Sequence, residues 1–270
     1  MTIESTGRAE SANRAESANR LEIIFEGDGY AAARKPHGLP SAPLHEGETE
    51  TALSMALDLY PHGRRVSGAG KGRKPIEAGL VHRLDTDTEG LILVALTQET
   101  FDYFLDIQNK GLLLKEYYAL CTPGVLPPPG FSRFPFPDIS TGSCLESRFR
   151  AFGPKGREVR PVPLPPPAAD TALEISAGKA SRTAPGIYRT DILSLSVAGE
   201  RLEVTCRLSR GFRHQIRCHL AWSGNPIAGD RVYNRNYNEE ALELHACALE
   251  FPEPGSGKSR RITCPPASVF

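Results

Sequence analysis

Asp85 stands in the segment Gly79-Leu80-Val81-His82-Arg83-Leu84-Asp85, which continues as Thr86-Asp87-Thr88-Glu89-Gly90 into the apolar run Leu91 to Leu96. A carboxylate, a guanidinium and an imidazole crowded at the mouth of a strand-like run can serve nucleophilic or acid–base chemistry. Such groups need partners wherever burial removes water, because a low-dielectric site penalises unpaired charge. The same residues also fit a surface turn capped by Asp85. The segment alone leaves both readings open.

Other segments bear on the choice. Lys35-Pro36-His37-Gly38-Leu39-Pro40 lies upstream, and Lys115-Glu116-Tyr117-Tyr118-Ala119 follows. Further on come Ser209-Arg210-Gly211-Phe212-Arg213-His214-Gln215-Ile216-Arg217-Cys218-His219-Leu220 and Gly224-Asn225-Pro226-Ile227-Ala228-Gly229-Asp230. In this order and spacing the chain resembles the pseudouridine synthases of the RluA type. Those carry a KPxG segment, HRLDxxTxGL, a KxYxA strand, and HQIRxHL leading into GxPIxGD. The resemblance runs from about Leu21 to Asp230. Four ordered motifs are far more specific than one.

The resemblance implies an RNA uridine isomerase that needs no cofactor and no metal. It gives Asp85 the part of nucleophile, Tyr117 that of the aromatic stacked on the target base, and Arg217 that of the basic partner of the aspartate. Arg83 matches the residue that fills the space left by a base drawn out of its stack. Lys35 is expected to support the site or to contact backbone phosphate, and His82 to contact RNA or to bond locally. His214 and Gln215 are expected either to line an RNA cleft or to bond at a helix start. Arg213 and Arg217, four residues apart, are expected to share a helix face.

Two departures from the family pattern stand out. Arg213 comes one residue late in Gly211-Phe212-Arg213-His214-Gln215, so either Arg213 replaces the usual charge or Phe212 offers stacking instead. Glu89, in Thr88-Glu89-Gly90, sets an acid where a small hydroxyl residue is usual, and would oppose RNA if it faced the cleft. Two other classes compete with the enzyme: a catalytically silent RNA-binding or assembly factor on the same fold, and a hydrolase using Asp85 with His82 or His214. Retention of Asp85, Tyr117 and Arg217 speaks against the first. The absence of a nucleophile elbow speaks against the second.

Composition sets outer bounds. The chain has 270 residues, 40% hydrophobic and 24% charged, with a formal net charge of zero. That balance argues against nucleic-acid binding by bulk charge, so local patches must carry it. Arg64 to Lys74 holds five basic residues and no acid, and Arg207 to Arg217 holds four arginines and no acid. No apolar run approaches the roughly 18 residues needed to span a bilayer, and no signal-peptide core opens the chain. Six cysteines without a CxxC pair fit reduced thiols in a cytoplasmic protein. Cys218-His219 beside His214 has poor spacing for zinc.

The elements that must position these residues follow from periodicity. Residues 1–20, with Ala-Glu-Ser-Ala-Asn-Arg twice in tandem, read as a disordered polar start. Residues 21–270 read as a single catalytic domain, with a Pro-rich insertion over about 122–190. Gly27-Asp28-Gly29 signals a hairpin that delivers Lys35 at a strand end. Helices are expected from Ala52 to Tyr60, from near Thr97 to Gly111, and from His214 to Trp222. Leu112 to Cys121 reads as a strand, and Leu202, Val204, Cys206 and Leu208 as a half-buried one following Leu193 to Val197. The insertion shows few periodic signals and is expected to form loops or short strands. The sum is an α+β fold with a mainly antiparallel mixed sheet. The resemblance implies that sheet in two halves with flanking helices and a central RNA cleft. It implies action on ribosomal or transfer RNA, and a monomer is the default expectation. With about twenty polar residues before the first strand, the S4-type RNA-binding domain common in that type is not expected.

Overall fold

The structure, a computed structural model, describes residues 20–68, 74–164 and 183–266. The tandem repeat apart from Arg20, the middle of the basic loop and part of the Pro-rich insertion lie outside them. In chain order the elements are β1 (Glu22–Gly27), β2 (Tyr30–Lys35), α1 (Ala52–Leu59), β3 (Glu89–Ala95), α2 (Gln98–Asn109) and β4 (Leu114–Cys121). They continue with β5 (Cys144–Phe152), β6 (Glu158–Val162), β7 (Tyr188–Ala198), β8 (Arg201–Leu208), α3 (Gln215–Trp222), β9 (Leu244–Pro252) and β10 (Ser259–Thr263). The chain divides into two compact units, Met1–Leu113 with His245–Phe270, and Leu114–Leu244. The strands are mostly antiparallel and the helices few, an α+β architecture as expected.

In the first unit the strands run in the order β1, β2, β3, β9, with β10 on β9. The β1–β2 hairpin turns at Asp28-Gly29 and pairs Gly27 with Tyr30. β3 is buried from Gly90 to Ala95 because both of its faces are covered, which is why its sequence is continuously apolar. Gly90 has φ +116°, and a Cβ there would come within 2.4 Å of the Ala246 carbonyl. The motif glycine therefore lets β3 approach β9, where Gly90 pairs with Ala246 in the parallel sense. Helices α1 and α2 start at Thr51 and Thr97, whose hydroxyls accept from the amides of Ser54 and Thr100. Each such cap is worth about 1 kcal/mol. The core packs Tyr30, Phe104 and Phe251 edge to face, with centroids 5.2 to 5.8 Å apart. Each buried aromatic stabilises the unit by roughly 1.5–3 kcal/mol.

In the second unit the order is β4, β8, β7, β5, β6. β8 alternates buried and half-buried residues along its whole length, and its apolar positions are the buried ones. The Pro-rich stretch is more regular than its sequence suggests, since β5 runs for nine residues. β6 contains Pro161, which a ladder tolerates there because β6 comes last in the order of the described strands. One core of this unit joins Phe149 and Val159 of the β5–β6 pair to Cys218 and Ala221 of α3 and to Tyr233.

Candidate functional site

Asp85 lies in the loop that enters β3 and is half-buried. Its backbone neighbours are clamped on both sides. Ser41 Oγ accepts from the Leu84 amide at 3.0 Å and donates to the Leu84 carbonyl at 2.7 Å. On the other side the Thr86 carbonyl accepts from Lys35 Nζ at 2.9 Å and from the Gly38 amide at 3.0 Å. The Thr88 amide closes the turn onto the Asp85 carbonyl. The clamp fixes the backbone from which the Asp85 side chain projects, one part of what positioning a reacting group requires. Ser41 was not singled out from sequence, because its partner lies 43 residues away.

Lys35 is fully buried and donates to the carbonyls of Pro36, Leu39 and Thr86 at 2.7 to 2.9 Å. An ammonium has three donors, and all are engaged. Its three bonds tie the end of β2 to the loop that carries Asp85. Burial pushes its pKa down to about 8, against the pull of Asp85, Asp87 and Glu89. At neutral pH it keeps its proton and with it the three bonds.

Arg83 points to solvent, and its Nη1 donates to the buried Glu77 at 2.6 Å. His82 is different, with both ring nitrogens shielded from solvent. So shielded, its ring offers no nitrogen at the surface. Glu89 does not stand as a bare acid. Arg34 Nε donates to it at 2.7 Å, and His245 lies 3.9 Å away.

The second unit holds Tyr117 and Arg217. Tyr117 sits in β4 opposite Cys206 and is buried. Arg217 lies in α3 and forms a two-pronged pair with Asp230, Nε to Oδ2 at 2.7 Å and Nη2 to Oδ1 at 2.9 Å. Both residues are buried, so the pair stands on geometry and on further bonds. Asp230 Oδ1 also accepts from the amides of Val232 and Tyr233 at 2.9 and 3.1 Å. The sequence placed Asp230 in a motif but gave it no part; the structure makes it the anchor of Arg217. Gly229 before it has φ +70°, and a Cβ there would lie 1.8 Å from the Ala241 carbonyl.

Arg213 and Arg217 do not share a face. His214 takes a left-handed backbone, φ +55°, so the helix begins at Gln215 and Arg213 is left outside it. Exposed Arg213 reaches the carbonyls of Gly156 and Glu158 instead. Gln215 is buried, accepting from the Phe212 amide and donating to the Arg189 carbonyl and Thr190 Oγ1. These bonds tie it into the start of the helix. His214 Nδ1 lies 3.1 Å from Tyr233 Oη. Phe212 stacks on Phe149, with centroids 5.1 Å apart and planes within 5°, so it serves the core and not a base.

His219 is fully buried between Ser147 Oγ and Thr190 Oγ1, each 2.9 Å from a ring nitrogen. Burial pushes its pKa down to about 3, so it stays neutral. Among the described residues no cluster of three His, Cys, Asp or Glu could hold a metal ion.

Comparison with known proteins agrees with these motifs. The sequence pattern of the RNA pseudouridylate synthase family matches residues 29–222. Ribosomal large subunit pseudouridine synthase D of Nitrosomonas europaea is 31% identical over 88% of this chain and 60% of its own length. The protein of the same name from Zymomonas mobilis is 28% identical over 88% of this chain and 67% of its own. The chain thus spans about 60% of the length of the first of these relatives. The solved structure of human RNA pseudouridylate synthase domain containing 4 shares the fold, with a TM-score of 0.58 at 17% identity. That likeness covers 97% of this chain and 95% of the human one. With a match over residues 29–222 that takes in Asp85, Tyr117 and Arg217, the chain belongs to the RNA pseudouridylate synthase family.

Proposed function

We propose that this protein converts specific uridines to pseudouridine in structured ribosomal or transfer RNA. The observation that carries the reading is the clamp on the Asp85 loop, where Ser41 and Lys35 fix the flanking peptides. The reaction breaks the bond between ribose C1′ and base N1, turns the base, and joins C1′ to C5. The proton on C5 is lost and N1 ends protonated, so the product is an isomer of the substrate. In this reading Asp85 adds covalently to base or sugar and later leaves. Tyr117 stacks on the base and assists removal of the C5 proton. Arg217, its plane fixed by Asp230, is the basic partner of the aspartate. Arg83 takes the place of the extruded base, and Arg213 and His214 meet the RNA.

The relatives are named for the large ribosomal subunit, which makes its RNA the first substrate to test. In this reading one catalytic body acts as a monomer in the cytoplasm; among the described residues no helix is long and apolar enough to cross a membrane. The test is deletion of the gene in its host, with pseudouridines mapped across ribosomal and transfer RNA. Wild type should restore the lost site, and Asp85→Asn should fall short by at least about a thousandfold in rate. Restoration by Asp85→Asn would remove Asp85 from the chemistry.

A further inference from the structure

The β5–β6 hairpin has two unlike faces. Inward it buries Ser147, Phe149 and Val159. Outward it carries Arg148 and Arg150 on β5 and Arg160 on β6. Arg150 pairs directly with Arg160 across the ladder. Like charges set opposite one another in a sheet cost roughly 0.2–1 kcal/mol, so nothing in the fold itself asks for this pair. Among the described residues no carboxylate forms an ion pair with Arg148 or Arg150. The neighbouring ladder shows the contrast, since Arg189 bonds Asp191 at 2.6 Å and lies 3.8 Å from Glu146.

Arg160 is held in place. Its guanidinium lies 3.1 Å from the centre of the Phe152 ring, and Nη1 donates to the Gly130 carbonyl. Burial and Arg150 lower its pKa, and Glu158 raises it. At the closed end of the hairpin Arg213 adds a further exposed guanidinium.

We infer that the outward face of the β5–β6 hairpin is a binding surface for the phosphate backbone of the RNA substrate, with Arg148, Arg150 and Arg160 as its contacts. The inference rests on the proposed function and extends it to residues outside the recognised motifs. Strand geometry sets Arg148 and Arg150 roughly 7 Å apart on one face, so the row can follow a chain of phosphates. Contacts of this kind hold RNA without reading its sequence. An anion between Arg150 and Arg160 also relieves their repulsion.

The test is binding of in vitro transcribed large-subunit ribosomal RNA by the full chain, measured at several salt concentrations. Replacing Arg148 and Arg150 together by Ala should raise Kd on the order of tenfold and flatten the salt dependence by about two units of slope. Arg148→Lys with Arg150→Lys should restore most of the slope. Arg189→Ala, which removes an already paired arginine, should leave the slope as in wild type. Melting temperatures of all variants exclude misfolding. An unchanged slope in the double Ala variant, or an equal loss in Arg189→Ala, overturns the inference. Pseudouridine formation is followed in the same mixtures; product from wild type upholds the enzyme reading whatever the arginines do, so a failure of one is not a failure of the other.

Discussion

Lys35 and Lys115 are both buried, and burial pushes both down to about 8. Their surroundings could hardly differ more. Lys35, ending β2, gives all three protons to carbonyls and feels Asp85, Asp87 and Glu89. The ammonium of Lys115, near the start of β4, has no hydrogen bond or ion pair among the described residues, and burial alone acts on it. One lysine fastens two loops together and needs its charge. The other can release its proton and lose no bond. A shared pKa thus hides two different jobs, and only the partners reveal which is which.

The contrast between partnered and unpartnered charge is largest at Arg217. Asp230→Ala leaves that guanidinium buried without its anchor and should cost about 3–5 kcal/mol of stability. Chemical denaturation measures it, and a loss under 1 kcal/mol would mean the pair is dispensable. Lys35→Met strands three carbonyls and should cost about 2–3 kcal/mol, with a lower melting temperature. For Lys115→Met the change should be within about 1 kcal/mol, or stabilising. A loss there equal to that of Lys35→Met would erase the distinction.

The last variant also carries a pH signature. Below pH 8 the folded and unfolded chains both hold the Lys115 proton, and the penalty for its burial is full. Between about 8 and the unfolded value near 10.4 only the unfolded chain holds it, so stability rises with pH by roughly 1.4 kcal/mol per unit. Cysteines raised by burial, such as Cys121, titrate in the opposite sense. The lysine is therefore read as the difference between wild-type and Lys115→Met curves, which should climb across that window.

Much of this was legible in the sequence where the signal is local. The run Leu91 to Ala95, the hairpin at Asp28-Gly29 and the helices begun at Thr51 and Thr97 each carry their cause within a few residues. Partners far along the chain were not legible. Ser41 holds Leu84 from 43 residues away, and Lys35 reaches Thr86 across 51. β5 escaped notice because its buried side includes Ser147, whose bond to His219 replaces apolar contact, while arginines fill the other side. The helix-face reading of Arg213 failed on one torsion, the left-handed turn of His214. Glu89 looked hostile to RNA until Arg34, on the neighbouring strand, accounted for its charge.

β6 has a further bearing, on how copies of the chain meet one another. Last in the order of the described strands, it leaves one line of backbone groups without a strand beside it, and in that line the Val159 amide and carbonyl bond Tyr233 Oη instead. Pro161 takes one donor out of that line, and Arg160 beside it sets a charge in the way. The strand is only five residues long, too short to hold a neighbour firmly. The strand that offers its charge to RNA is thus also a guard against edge-to-edge aggregation in concentrated solution.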